Sequence, residues 1–145
     1  MTNRTHGWVL LFVAASAALA AAQKVVGPED FDRAMKTIGA AMDGTREAIG
    51  SESFIEAKTP LALARQTLAS TRPVWETAED PAAVKMTREA VAALDALDKA
   101  LSPRIADPAE VAAAVSDVTR ACDACHATHR EGDEQTGFRM RSGAR

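Results

Sequence analysis

Five consecutive residues near the C-terminus have the types and spacing that bind a metal-containing cofactor. They read Cys122-Asp123-Ala124-Cys125-His126, a C-x-x-C-H sequence of the kind that attaches c-type haem. Residues three apart lie on the same face of a helix, so both thiols could bond to the two vinyl groups on one side of a porphyrin. The imidazole that follows would bind the iron as the proximal ligand. We therefore expect one covalent haem c per chain.

Two other kinds of site contain the same residue types. A C-x-x-C pair also occurs in redox dithiols, but those lie near a βαβ pattern, and this chain has no strand pattern. A zinc site could be drawn from Cys122, Cys125, His126 and His129. One helical stripe would then supply all four ligands, which is poor geometry for a tetrahedral shell. The spacing therefore favours haem attachment.

The first 22 residues have the layout of a secretory signal. Arg4 supplies a positive charge, an apolar or small run extends from Trp8 to Leu19, and small residues lead to a predicted cleavage after Ala22. The run is shorter than the roughly 20 apolar residues of a spanning helix, and no Cys follows it as in a lipoprotein. An uncleaved N-terminal anchor is the alternative. We expect a periplasmic protein, residues 23–145, without stable membrane insertion.

Composition narrows the fold class of the 145-residue chain. It is 47% apolar but only 4% aromatic, and it contains no Tyr. Alanine, the strongest helix former, dominates the apolar residues, and strands would favour aromatic and β-branched ones. Without the signal the chain carries 16 basic and 20 acidic side chains, so no excess of positive charge points to nucleic acid. We expect one helical domain.

Helix-start signals divide the chain into four segments, in each of which a proline stands at or near the first helical position. The four prolines are Pro28, Pro60, Pro81 and Pro108. Thr59, Asp80 and Asp107 are predicted as the N-caps of the second, third and fourth segments. Pro73 is expected to kink the second segment or end it early. The other three segments are predicted to end at Gly50, Ser102 and Gly132.

Each predicted helix carries one apolar stripe at helical spacing. The stripes are Phe31, Met35, Ile38, Met42 and Ile49; Leu61, Ala64, Leu68 and Trp75; Val84, Val91, Leu94, Leu97 and Leu101; and Val111, Val115, Val118, Cys122, Cys125 and His129. Short connections and one stripe per helix predict an all-α, antiparallel up-down four-helix bundle over residues 23–130. Residues 131–145 are polar and aperiodic, and are predicted to form a flexible tail.

A four-helix bundle with a single C-x-x-C-H near its C-terminus resembles the class II cytochromes c, that is, cytochrome c′ and its low-spin relatives. Those proteins tend to end in C-x-x-C-H-x-x-(Tyr/Phe)-Arg. Here Arg130 matches and His129 replaces the aromatic residue. Their first helix often carries Met-Lys-x-x-Gly over the haem, and residues 35–39 read Met-Lys-Thr-Ile-Gly. Relatives commonly place an Arg near the propionates where this chain has Phe31, with Arg33 nearby.

The resemblance implies roles for individual residues. Met35 would be the distal iron ligand or, failing that, the cap of a five-coordinate distal pocket. Arg130 would lie near the proximal ligand or a propionate, and His129 near the haem edge. Three other methionines are not expected to bind iron: Met42 as core, Met86 as off the main stripe of its helix and Met140 as part of the tail. A homodimer packed through the first two helices is also implied.

The sixth ligand of the haem iron decides between two expected functions. With His126 and Met35 both bound, the iron would be low-spin and the protein would be a periplasmic electron carrier between redox proteins of a respiratory or photosynthetic chain. With an open sixth position, the protein would bind nitric oxide or carbon monoxide. No free general base lies on the distal helix face, so we do not expect an enzyme.

Overall fold

The computed structural model describes Val25 and residues 27–102, 106–133 and 135–141. In chain order its helices are α1 (Pro28–Gly50), α2 (Phe54–Thr77), α3 (Pro81–Ala100) and α4 (Pro108–His129). Two short strands follow, β1 (Arg130–Glu131) and β2 (Arg139–Met140). The predicted signal, its cleavage site and residues 142–145 of the predicted tail lie outside the described residues.

Three of the four helices begin at the prolines that the sequence predicted. Pro28, Pro81 and Pro108 each open a helix, where the missing proline N–H costs no hydrogen bond. The carboxylate of Asp80 accepts from the Ala83 amide at 2.9 Å, and that of Asp107 accepts from the Ala109 amide at 2.8 Å. Both acids are therefore true N-caps, and they fix where α3 and α4 begin.

The prediction for α2 was wrong at its start, and Pro73 does not end the helix. The helix begins at Phe54 after an N-cap at Ser53, so Pro60 lies inside the helix and Thr59 is not its cap. The helix also continues through Pro73 to Thr77. Trp75 is buried beyond that proline, so tertiary packing of the last turn outweighs the local penalty that proline imposes.

The helices pack in sequence order, α1 on α2, α2 on α3 and α3 on α4, joined by short turns as an up-down bundle requires. This confirms the predicted all-α four-helix bundle. A main core fills the interior along most of the bundle, with Leu61, Leu94, Leu97, Leu101 and Val111 almost completely buried. A smaller aromatic cluster lies at one end and consists of Val25, Phe31, Ala34, Trp75 and Ala83.

The segment after α4 differs from the prediction. The helix ends at His129, three residues before the predicted stop at Gly132, and β1 pairs antiparallel with β2 to form a short hairpin. Gly132 has a φ of +88°, and a Cβ there would lie 2.1 Å from the Gly137 carbonyl oxygen. Only glycine fits this turn. The hairpin folds back, because the Arg141 amide donates to the His129 carbonyl at 2.7 Å.

None of the helices in the described part of the chain combines the length and the apolarity of a membrane span.

Candidate cofactor site

A cavity of about 1320 Å³ opens between α1 and α4 and extends inward to α2 and α3. Its inner walls are apolar, with Ile38, Leu68, Ala90 and Leu94 among the lining residues. The volume exceeds the roughly 300–1,000 Å³ of ordinary small-molecule pockets. The bundle therefore leaves room for a large, mainly apolar ligand beside its last helix.

All three functional residues of the C-x-x-C-H sequence line this cavity from α4. Cys122 and Cys125 are half-buried free thiols. Burial raises the pKa of both, helped by the negative charge of Asp123 for Cys122 and by Cys122 itself for Cys125. The thiols are therefore protonated at neutral pH rather than activated as in a redox dithiol.

The imidazole of His126 lies half-buried on the same wall. Burial lowers its pKa, and the positive charge of Arg130 lowers it further. A lowered pKa keeps the ring neutral near pH 7, and the neutral ring is the form that binds a metal ion. Among the described residues, no group of three or more His, Cys, Asp and Glu side chains could hold a metal ion, so the zinc alternative has no ligand cluster there.

Four methionines line the cavity from three different elements. Met35 and Met42 come from α1, Met86 from α3 and Met140 from β2. Met42 is buried in the main core as predicted. The expectation that Met140 belongs to a loose tail was wrong, since it packs against the aromatic cluster. Met86 also reaches the cavity although it lies off the main stripe of α3.

Met35 is the one of these four that packs against both clusters of the bundle. It is half-buried, lines the cavity and packs against both the main core and the aromatic cluster. The structure therefore brings the Met35 thioether and the His126 imidazole to one cavity from α1 and α4. Thioether sulfur and imidazole nitrogen are one pair of donors that binds haem iron in cytochromes c.

Sequence reasoning missed a buried polar contact at one end of the cavity. His129 and Asp80 are each only 5% exposed, and the His129 Nδ1 lies 3.6 Å from the Asp80 Oδ2. The His129 ring also packs against Trp75, with ring centres 5.2 Å apart. The sequence showed Asp80 only as a helix cap. The replacement of an aromatic residue by His129 was the one signal that could have pointed to this contact.

Charged side chains surround the mouth of the cavity. Arg33, which lies near the position where relatives carry an Arg, pairs with Asp30 of its own helix at 3.1 Å. Arg130 lines the cavity, and its guanidinium lies 4.2 Å from the centre of the Phe138 ring. This cation–π contact packs two residues of the hairpin against each other and leaves the Arg130 guanidinium without a carboxylate partner among the described residues.

The residues present fit a c-type haem. The cavity is large and apolar, two thiols and an imidazole occupy one wall at the attachment spacing, and thioethers are within the same cavity. The family model described as Cytochrome C′ matches residues 10–130. The chain belongs to the cytochrome c′ family. It matches no curated protein and no solved structure with significant similarity.

Membership of the cytochrome c′ family makes the chain a class II c-type cytochrome and implies a haem c cofactor. Proteins of this family typically transfer electrons or bind gases, and they are typically periplasmic.

Proposed function

We propose that this cytochrome c′ family member is an exported electron-transfer protein carrying one covalent haem c. Cys122 and Cys125 would form the two thioether bonds, His126 would be the proximal iron ligand and Met35 the distal one. Haem iron in such a site supplies a one-electron ferric–ferrous couple, which the axial ligands tune. The observation that carries the proposal is the joint exposure of all four side chains to one cavity.

The protein itself would hold the haem in place and shield it from water. The raised pKa values of the two thiols keep them protonated until the haem is attached. Burial lowers the pKa of His126 and keeps its ring neutral. Apolar side chains on the inner walls exclude water from the iron and leave little to rearrange on electron transfer. Arg130 lies close enough to His126 to act on its charge, which supports a place near the proximal ligand or a propionate.

Met35 also supports a second candidate function. Its contacts with both apolar clusters could hold the thioether as packing and leave the sixth iron position open. The protein would then bind nitric oxide or carbon monoxide in an apolar distal pocket, as the resemblance also allows.

The ferric absorption spectrum separates the two candidates. We expect a low-spin spectrum for the wild-type haemoprotein and a high-spin spectrum for Met35→Ala, because alanine has no donor atom. Met86 lines the same cavity, so Met86→Ala is the matched control. We expect this variant to keep the low-spin spectrum. A high-spin wild-type protein would refute Met35 ligation and favour gas binding.

The proposal includes periplasmic localisation after removal of residues 1–22 and exchange of electrons with other redox proteins. N-terminal sequencing of the exported protein tests the first part, with Gln23 expected as the first residue. A homodimer formed through α1 and α2 is also proposed, and sedimentation equilibrium of the haemoprotein tests it. We propose no catalytic role.

A further inference from the structure

Two buried polar side chains, His129 and Asp80, lie side by side at one end of the cavity without forming a hydrogen bond to each other. The Nδ1 of His129 lies 3.6 Å from the Oδ2 of Asp80, which is longer than a hydrogen bond. Neither ring nitrogen of His129 has any hydrogen-bond partner. The ring is 95% buried and lines the cavity. Buried polar groups are nearly always paired in folded proteins, so this imidazole is available to a ligand.

Asp80 determines what that ligand can be. Its Oδ1 accepts from the Ala83 amide at the start of α3, which leaves its Oδ2 as the oxygen that faces the His129 Nδ1. A carboxylate oxygen can only accept a hydrogen bond, so Asp80 orients the ring from one side and leaves the other side to a group in the cavity. Hydrogen bonds from an N–H to an anionic oxygen, as in a carboxylate, are among the strongest in proteins.

Basic side chains line this same end of the cavity. Arg33, Lys36, Arg46 and Arg139 also line it, but each is paired with a nearby carboxylate. Within the described residues, Arg130 and Arg141 have no carboxylate partner. Both lie next to His129, Arg130 as its neighbour in sequence and Arg141 through its amide. The Arg141 guanidinium donates to the Arg130 carbonyl at 3.2 Å. His129 and Arg130 are therefore two donors at this end of the cavity that have no carboxylate in hydrogen-bond contact within the described part of the chain.

The order of residues along α4 relates this edge to the cofactor. Cys122 and Cys125 precede His126, whereas His129 lies almost one turn beyond it. A porphyrin attached through its vinyl edge carries its two carboxylates on the edge away from the thioether bonds. We propose that His129, positioned by Asp80, donates a hydrogen bond to a haem propionate. This inference rests on the proposed function, since it requires the haem to be attached through Cys122 and Cys125.

Resonance Raman spectra of the purified haemoprotein test the assignment, because the propionate-bending band shifts when a hydrogen bond to the carboxylate is lost. We expect His129→Phe to shift the band to its unbonded position and His129→Gln, which keeps an N–H donor, to restore much of the wild-type position. Asp80→Asn keeps a good helix cap and should shift the band partway. The Asp80→Asn/His129→Phe double variant should match His129→Phe alone.

Asp107→Asn is the matched control, since Asp107 caps α4 as Asp80 caps α3 but lies at the opposite end of α4 from His129; its band should stay at the wild-type position. If His129→Phe is not recovered folded, Asp80→Asn and His129→Gln still separate donor loss from structural damage. An unchanged band in folded His129→Phe haemoprotein would overturn the role of His129 alone. A wild-type chain without covalent haem would instead overturn the proposed function.

Discussion

The donor side chains that face the cavity are half-buried and uncharged. Cys122, Cys125, His126 and Met35 are each partly covered, so they remain accessible to a cofactor while the surrounding apolar atoms reduce contact with water. Burial favours the uncharged forms of the thiols and of the imidazole. At the scale of single residues, the site is therefore prepared electrostatically for a large, mainly apolar group.

Leu97→Ala should destabilise the haemoprotein by about 2–5 kcal/mol, because Leu97 is completely buried in the main core and its removal leaves a cavity. Guanidinium unfolding followed by circular dichroism measures the change. Leu63→Ala is the control, since Leu63 is 49% exposed and its loss should cost less than about 0.5 kcal/mol. Equal losses in the two variants would contradict the described packing of α3.

At the scale of elements, caps fix where α3 and α4 begin, and residues of the hairpin line the cavity beyond the end of α4. Asp107 caps α4 at the end remote from the haem attachment sequence. Asp107→Ala should lower the free energy of unfolding by about 1 kcal/mol, whereas Asp107→Asn should change it little because asparagine caps equally well. Chemical denaturation compares the two. An alanine variant as stable as the wild type would mean that the Ala109 contact contributes nothing.

The hairpin gives a second prediction at this scale. Gly132→Ala should open the turn, because the new Cβ would meet the Gly137 carbonyl oxygen at 2.1 Å. Gly137→Ala also suffers from a positive φ of +77°, but nothing lies within 4 Å of its Cβ, so its effect should be smaller. Hydrogen exchange of the Arg141 amide reports the opening. Equal protection of that amide in both variants would show that the close contact does not hold the turn.

Particular residues show how far the sequence predicts these elements. Asp80-Pro81 and Asp107-Pro108 identify helix starts correctly because cap and first turn are local interactions. Thr59-Pro60 has the same pattern inside α2, where burial of Leu61 and Trp75 determines the helix instead. The hairpin and the Asp80–His129 contact could not be predicted. Both depend on segments that are brought together only by the packing of the bundle.

At the scale of the whole molecule, the order of packing creates the cavity. Consecutive helices pack closely, whereas α1 and α4 stand on either side of the opening. The cofactor sequence on α4 and the methionine on α1 therefore meet only in the folded bundle. The C-x-x-C-H sequence alone predicted the cofactor and one wall of its site, and the apolar stripes predicted the bundle that completes it.

The most direct test of the account is the intact mass of the exported protein, measured under denaturing conditions after expression in a host that matures c-type cytochromes. We expect the mass of the chain without its first 22 residues plus that of one haem, and a pyridine haemochrome spectrum typical of two thioether bonds. Cys122→Ala/Cys125→Ala should retain no haem under the same conditions. A wild-type protein of apoprotein mass would contradict the account.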